Sequence, residues 1–313
     1  MTYAPAQGAR IAAVDDLSLE VQSGEIVGIW GESGCGKSTL SHAILGMLPA
    51  HARCEQGSIL IHGRDLSKLP EPELRRIRGR DVALIPQDPS LSLNPVIRVG
   101  VQIAEVLRAH TPLSGRARRA RVVDLLREVG FDHPEEIYGA YPHQLSGGQR
   151  QRISIAQAVA CRPALVIADE PTSKLDAPLQ AEVIALLAQI RKSHGTALLV
   201  ISHDPTMFPG FADRIAVMYA GRIVESGNTA QIFRSPLHPY TQGLVEIAKS
   251  AAGASSRKHF DSIEGEPPDP SSFPHGCRFE PRCADRMEIC RARYPRAFLP
   301  EPSRPVSCFK YGE

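Results

Sequence analysis

Eight consecutive residues, Gly31-Glu32-Ser33-Gly34-Cys35-Gly36-Lys37-Ser38, followed by Thr39, fit the spacing G-x-x-x-x-G-K-[ST]. Glycines let a backbone curl until successive N–H groups point at phosphate oxygens, and a helix starting near Ser38 adds positive potential there. Lys37 then reaches the β and γ phosphates and Ser38 ligates Mg²⁺. Leu165-Val166-Ile167-Ala168-Asp169-Glu170 supplies the matching half. An apolar strand ending in two carboxylates sets Asp169 to hold Mg²⁺ through water, and Glu170 to orient or deprotonate an attacking water. By itself that pair is an ordinary strand end; with the glycine loop it points to nucleotide hydrolysis.

Two further side chains belong to the same chemistry by position. A histidine, His203, can donate to a γ-phosphate, and a glutamine, Gln87, can reach both Mg²⁺ and the attacking water. Leu145-Ser146-Gly147-Gly148-Gln149 precedes a helical run from Arg150. A serine hydroxyl and glycine amides at a helix start form a second anion site, yet one domain has no use for two γ-phosphate cradles.

The elements that must carry these groups are legible as apolar runs. Ile26 to Trp30, Val82 to Ile85, Leu165 to Ala168 and Ala197 to Ile201 are too short for helices and suit strands covered on both faces. Helical patterns fall at Ser38 to Leu48, Gln102 to Ala109, Arg116 to Val129, Gln149 to Ala160 and Ala181 to Lys192. The alternation predicts an α/β fold with a parallel sheet. The loop ending in Lys37, then Gln87, Asp169-Glu170 and His203, all follow strands and so share one rim. Ile11 to Val21, Gly57 to His62 and a hairpin of Arg214 to Tyr219 with Arg222 to Glu225, turning at Ala220-Gly221, predict a flanking antiparallel subdomain. Residues from about 89 to 148 predict an inserted helical subdomain.

Length and composition bound the rest. The 313 residues are 42% hydrophobic and 22% charged, enough for a sizeable core plus an appendage. With 36 Lys and Arg against 34 Asp and Glu, a formal charge of +2 gives no global reason for nucleic acid or an anionic surface. No apolar run spans a membrane and the first residues lack a secretion signal, so a soluble cytosolic chain is expected. The basic run Arg116 to Arg121 has no interleaved aromatics and continues into Val122, Val123, Leu125 and Leu126, which reads as a solvated helical face. After Lys249 the texture turns small and polar at Ala251 to Ser256, and nine of the 26 prolines lie beyond Phe260. Domain bounds of 1–250 and 251–313 follow. Of seven cysteines, Cys277, Cys283, Cys290 and Cys308 fall in the last 37 residues. Their spacing has no C-x-x-C pair and is poor for a zinc ribbon; Arg278, Arg282, Arg286 and Arg291 among them would favour thiolates.

In the order and wording of its motifs the sequence resembles the ATP-binding cassette ATPases over roughly residues 11 to 235. The glycine loop, Gln87 in the Q-loop, the signature Leu145 to Gln149, Asp169-Glu170, the D-loop Ser173-Lys174-Leu175-Asp176 and His203 carry the resemblance. It implies a RecA-like P-loop NTPase core, ATP with Mg²⁺, and two cassettes packed head to tail. Ser146, Gly147, Gly148 and Gln149 would then serve the partner's nucleotide, with Asp176 nearby, which answers the two-cradle puzzle. Gln87 to Pro95, Met218 to Glu225 and Pro236 to Thr241 look like the peptide and nickel import ATPases, and the tail around Pro274-His275-Gly276-Cys277 and Arg282-Cys283 is similar to that group's C-terminal extension. The resemblance implies a peripheral subunit on the cytoplasmic side of the membrane, two permease subunits, an extracytoplasmic binding protein and a [4Fe–4S] cluster on the four tail cysteines.

Three features depart from the family's pattern. There is little room for its first strand and only Tyr3 to stack adenine; Lys174 replaces a small D-loop residue, favouring a nonidentical partner; Pro86 stands where an aromatic often precedes Gln87. The competing readings are a soluble cassette ATPase acting on nucleic acid or ribosomes, and a small-molecule kinase, which would leave the signature without a role.

Overall fold

A computed structural model describes residues 1–3, 11–251 and 262–312. It divides into two compact units, one of Met1–Glu20, Ile26–Ser58 and Ser202–Glu313, the other of Val21–Glu25 and Ile59–Ile201. Residues 252–256 of the small, polar stretch from Ala251 to Ser256 lie outside the described residues.

In the first unit the strand Ile26–Trp30 is buried along its whole length and runs into the glycine loop. Beside it, in parallel register from Val27↔Arg214 to Trp30↔Val217, lies the strand Arg214–Tyr219. That strand turns back at Ala220 and Gly221, with φ of 46° and 85°, into Arg222–Asn228. Two positive φ values in a two-residue loop match the right-handed twist of the strands it joins. The hairpin therefore belongs to the sheet of the phosphate-loop strand and not to a flanking subdomain.

Of the Ile11 to Val21 run only Ile11–Ala12 forms a strand, in a small antiparallel sheet with Thr2–Tyr3 and Ala52–Arg53. The run ends because Asp15 and Asp16 are drawn out of strand geometry: Asp16 has φ 47° and the Asp15 carboxylate pairs with Arg222 and Arg278. Gly57 to His62 yields only Leu60–Ile61, paired with Arg64–Asp65.

The proline-rich extension also enters this unit. Phe298–Glu301 and Arg304–Val306 pair antiparallel, and Val306 sits opposite Glu225 of the hairpin. Glu225 and Arg304 are fully buried and joined at 3.0 Å, and Glu225 also accepts the amides of Leu237 and His238. A buried pair with these extra donors is stable where an isolated one would not be. Short strands supply what proline excludes from a longer one.

The second unit carries the strands Leu165–Asp169 and Val82–Ile85 and, as far as Ile201, the strand Ala197–Ser202, all in parallel, with Ile85 opposite Ala168 and Asp169 opposite Ile201. Their side chains from Val166 to Ala168 and from Leu198 to Ile201 are buried, as continuous apolar strands require. The helices Val99–His110, Gly115–Glu128, Pro134–Gly139 and Gly147–Val159 form the inserted helical part, and Ala177–His194 follows the carboxylate strand. In Gly115–Glu128, Val122, Leu125 and Leu126 are buried. Three arginines of the basic run are used within the unit: Arg118 donates to the Leu113 carbonyl, Arg119 lies over the Tyr138 ring and Arg121 faces Glu128.

Candidate functional site

Backbone geometry builds the phosphate loop. The helix Lys37–Ile44 begins after Gly36, which has φ 106°, and a Cβ there would stand 2.3 Å from the Ala13 carbonyl oxygen. At Gly31 a Cβ would stand 2.1 Å from the Met218 carbonyl oxygen. Both positions therefore need glycine for space, and Gly36 for conformation as well. Lys37 is almost wholly buried and donates to the carbonyls of Gly31 at 2.7 Å and Glu32 at 2.9 Å, which holds its ammonium inside the loop. Cys35 is buried, and burial, only partly offset by Lys37, pushes its thiol up; the Lys37 ammonium also donates to its sulfur at 3.8 Å. Ser38 and Thr39 open the helix, and the Thr39 hydroxyl is 3.1 Å from the Tyr3 hydroxyl. Ser33 and Gly34 form the crest of the loop, Gly34 with φ 79°.

Residues outside the motif fix this loop from behind. The Glu32 amide donates to the hydroxyl of buried Tyr240 at 2.9 Å, and the Arg282 guanidinium forks both Glu32 carboxylate oxygens at 2.8 and 3.1 Å. The Gly221 amide donates to the Cys35 carbonyl at 2.8 Å. Tyr240, Tyr219 and Phe279 pack ring against ring beneath it. Sequence reasoning missed Tyr240, Glu32 and Arg282 as loop supports; the motif around Tyr240 was the one signal available. His203, in the same unit, is exposed in a bend after the strand.

The second unit holds the remaining candidates. Asp169 ends its strand and Glu170 follows with φ 49°, its amide donating to the Ile201 carbonyl at 2.9 Å. A left-handed glutamate is strained by roughly 1–3 kcal/mol and persists where the surroundings impose it, as functional sites do. Both carboxylates are at most 9% exposed. Exposed Gln87 comes two residues after Ile85, at the same strand end as Glu170 by register. Asp88 beside it pairs with Lys174 of the D-loop, whose ammonium holds the carboxyl below its ordinary value. Asp176 caps the helix Ala177–His194 by accepting the Leu179 amide at 3.0 Å.

The signature is a capping box. Ser146 Oγ accepts the Gln149 amide at 3.2 Å while Gln149 Oε1 accepts the Ser146 amide at 2.9 Å. Ser146 and Gly147 are exposed, and Gly148 packs under Leu179. The hydroxyl proton of Ser146 is still available to a phosphate oxygen, because capping uses only the oxygen as acceptor.

In the tail, Cys277, Cys283, Cys290 and Cys308 line one small cavity with His238 and Asp285. All four are free thiols. Among the described residues no three His, Cys, Asp or Glu side chains are grouped to hold a single metal ion. A cluster that takes one thiolate on each of four irons would ask instead for four cysteines around a common space. The arginines do not act as expected. Arg278 engages Asp15 and the Ala220 carbonyl, Arg282 Glu32 and Arg291 Glu280. Burial, with the neighbouring thiols, pushes Cys277 up to about 12.

The model for "ABC transporter" matches residues 14–173, and that for "Oligopeptide/dipeptide transporter, C-terminal region" matches residues 224–290. The chain belongs to the ABC transporter family. The cassette is 41% identical over 304 residues to the oligopeptide transport ATP-binding protein AppD of Bacillus subtilis, covering 97% of this chain and 92% of that one. It is 42% identical over 302 residues to the dipeptide transport ATP-binding protein DppD of Escherichia coli, covering 96% and 92%. Among solved structures it resembles a dimeric ATP-binding cassette, MJ0796, bound to ADP and phosphate, with TM-score 0.65 and 28% identity over 73% of this chain and 95% of that one. The cassette is thus an ATP-hydrolysing transporter subunit of P-loop α/β fold that uses ATP and Mg²⁺. Among the described residues no helix is long and apolar enough to cross a membrane.

Proposed function

We propose that this cassette powers import of di- or oligopeptides, or of a related small solute such as nickel, from the cytoplasmic face of the membrane. The observation that carries the reading is one chain with a complete phosphate loop, a separate exposed signature N-terminus and an extension of the oligopeptide type. It pairs with a second cassette, nonidentical in view of Lys174, and with two permease subunits fed by an extracytoplasmic binding protein. The reading assigns residues 1–250 to the cassette and 251–313 to the extension.

In the reaction the loop amides from Ser33 to Thr39 and Lys37 hold the β and γ phosphates. Ser38, Gln87 and Asp169 would hold Mg²⁺, which when bound neutralises charge on the leaving phosphate. Glu170 takes the proton of the attacking water, Gln87 positions that water, and His203 donates to the γ-phosphate. Ser146, Gly147, Gly148 and Gln149, with Asp176, close over the partner's nucleotide. Loss of γ-phosphate removes the anion that joins the two cassettes, and their separation drives the permease.

A [4Fe–4S] cluster on Cys277, Cys283, Cys290 and Cys308 is supported by their shared cavity. Iron and labile-sulfide analysis of anaerobically purified protein tests it; colourless, iron-free protein removes it. The role in import is tested by affinity purification from membranes: recovery of two permease subunits and a second cassette is expected, and recovery of ribosomes or nucleic acid instead would establish the soluble rival.

A further inference from the structure

A cavity of ≈480 Å³ opens beside the phosphate loop and takes part of its wall from the far end of the chain. Loop residues Glu32 to Cys35 form one side, Tyr3 and His51 another, and the tail residues Pro267 to Pro270 with Phe273 a third. We propose that the C-terminal extension completes the nucleotide site, with Phe273 and the proline turn forming the wall that recognises the purine base. This rests on the nucleotide reading given above.

Three observations carry it. The cavity is continuous with the phosphate loop through Glu32, Ser33, Gly34 and Cys35, so a nucleotide held there by its phosphates has this space for its nucleoside. Its size falls within the range of pockets that enclose small ligands, and its aromatic and proline lining suits a flat π face better than an anion. The tail wall is also fixed in place. Phe273 has the Arg278 guanidinium 3.9 Å from its ring centroid, and Arg278 is tied to Asp15 and to the Ala220 carbonyl. Three prolines restrict the turn, and the Asp269 carboxylate accepts from the Ser271 amide and hydroxyl at 2.8 and 2.7 Å. A preordered wall loses little entropy when a ligand docks.

The experiment measures binding of ATP and of inorganic tripolyphosphate, each with Mg²⁺, to the full-length chain by calorimetry. Removing one base-stacking ring weakens base binding by roughly tenfold or more, so Phe273→Ala is expected to raise the Kd for ATP by about that factor. Its Kd for tripolyphosphate, which uses the loop alone, is expected to stay within about twofold. ATP affinity unchanged in Phe273→Ala, or tripolyphosphate affinity falling in parallel, overturns the proposal. Phe273→Trp provides a second readout: its fluorescence should change with ATP and not with tripolyphosphate, above the background of Trp30, the only natural tryptophan. No ATP-specific change overturns the proposal even where the alanine variant does not fold. A wild-type chain that binds neither probe overturns the nucleotide reading itself; a wild type that binds ATP while the variants behave identically overturns only the role of the tail.

Discussion

Arg282 forks the carboxylate of Glu32, 250 residues earlier in the chain, with two hydrogen bonds of 2.8 and 3.1 Å. The arginine side chain is 3% exposed and the glutamate 28%. Burial opposes the charge on Arg282, yet the Glu32 carboxylate more than compensates and raises its pKa. The pair neutralises the one acidic residue in a loop meant for anions. Arg282→Ala should leave that carboxylate uncompensated beside the phosphates, at on the order of 1–2 kcal/mol or about tenfold in the Kd for ATP. Adding Glu32→Gln should restore most of the affinity. Titration of the single and double variants measures it, and no recovery in the double variant would refute the electrostatic account.

The Ser146 cap can be separated from a phosphate role by charge. Ser146→Asp keeps an equally good helix cap, so its Tm should stay within a few degrees of wild type. Its carboxylate repels an incoming γ-phosphate, so ATP-dependent association of the two cassettes should be lost. Size-exclusion chromatography with light scattering in a Glu170→Gln background checks this, and intact association would remove Ser146 from the partner's site.

Catalysis and binding should fall to different residues. Glu170→Gln is expected to bind ATP normally while phosphate release drops by about a hundredfold or more. Lys37→Ala should instead weaken ATP binding itself, because it removes the ammonium held inside the loop. A colorimetric phosphate assay beside a binding titration distinguishes them, and near-normal turnover in the Glu170 variant would exclude it as the base.

Acid should loosen the attachment of the tail at Asp15. Partial burial raises its pKa, but Arg222 and Arg278 outweigh this and hold it below 3.8. Above 3.8 the carboxylate is ionised in folded and unfolded chains alike and its contribution is complete; it is lost as pH falls from there through the folded value. Asp15→Asn should be less stable at neutral pH and should show a shallower fall of Tm below about pH 4. Parallel acid profiles for the two proteins would exclude Asp15 as the group responsible.

The catalytic motifs were legible because their chemistry is local. A cradle of consecutive amides needs consecutive residues, and a carboxylate at the end of a buried strand needs the apolar run before it. The strands at Ile26–Trp30 and Val82–Ile85 and the hairpin turn at Ala220-Gly221 stand where their patterns predict. Longer readings failed where charge intervened: Ile11 to Val21 reads as one strand until Asp15 and Asp16 leave it for Arg222 and Arg278.

What the amino-acid order determined by itself is therefore the phosphate loop, the carboxylate strand, the signature cap and the family they mark. Tertiary structure alone decided that Tyr240 and Arg282 brace Glu32, that Phe273 lines a cavity beside the loop, and that the tail arginines pair with carboxylates rather than with thiols. The physical reason is range. Backbone conformation and capping are set by neighbours in sequence, whereas a charge or a ring finds its partner by position in space, and nothing in the spacing of a proline-rich tail records which loop it will fold against.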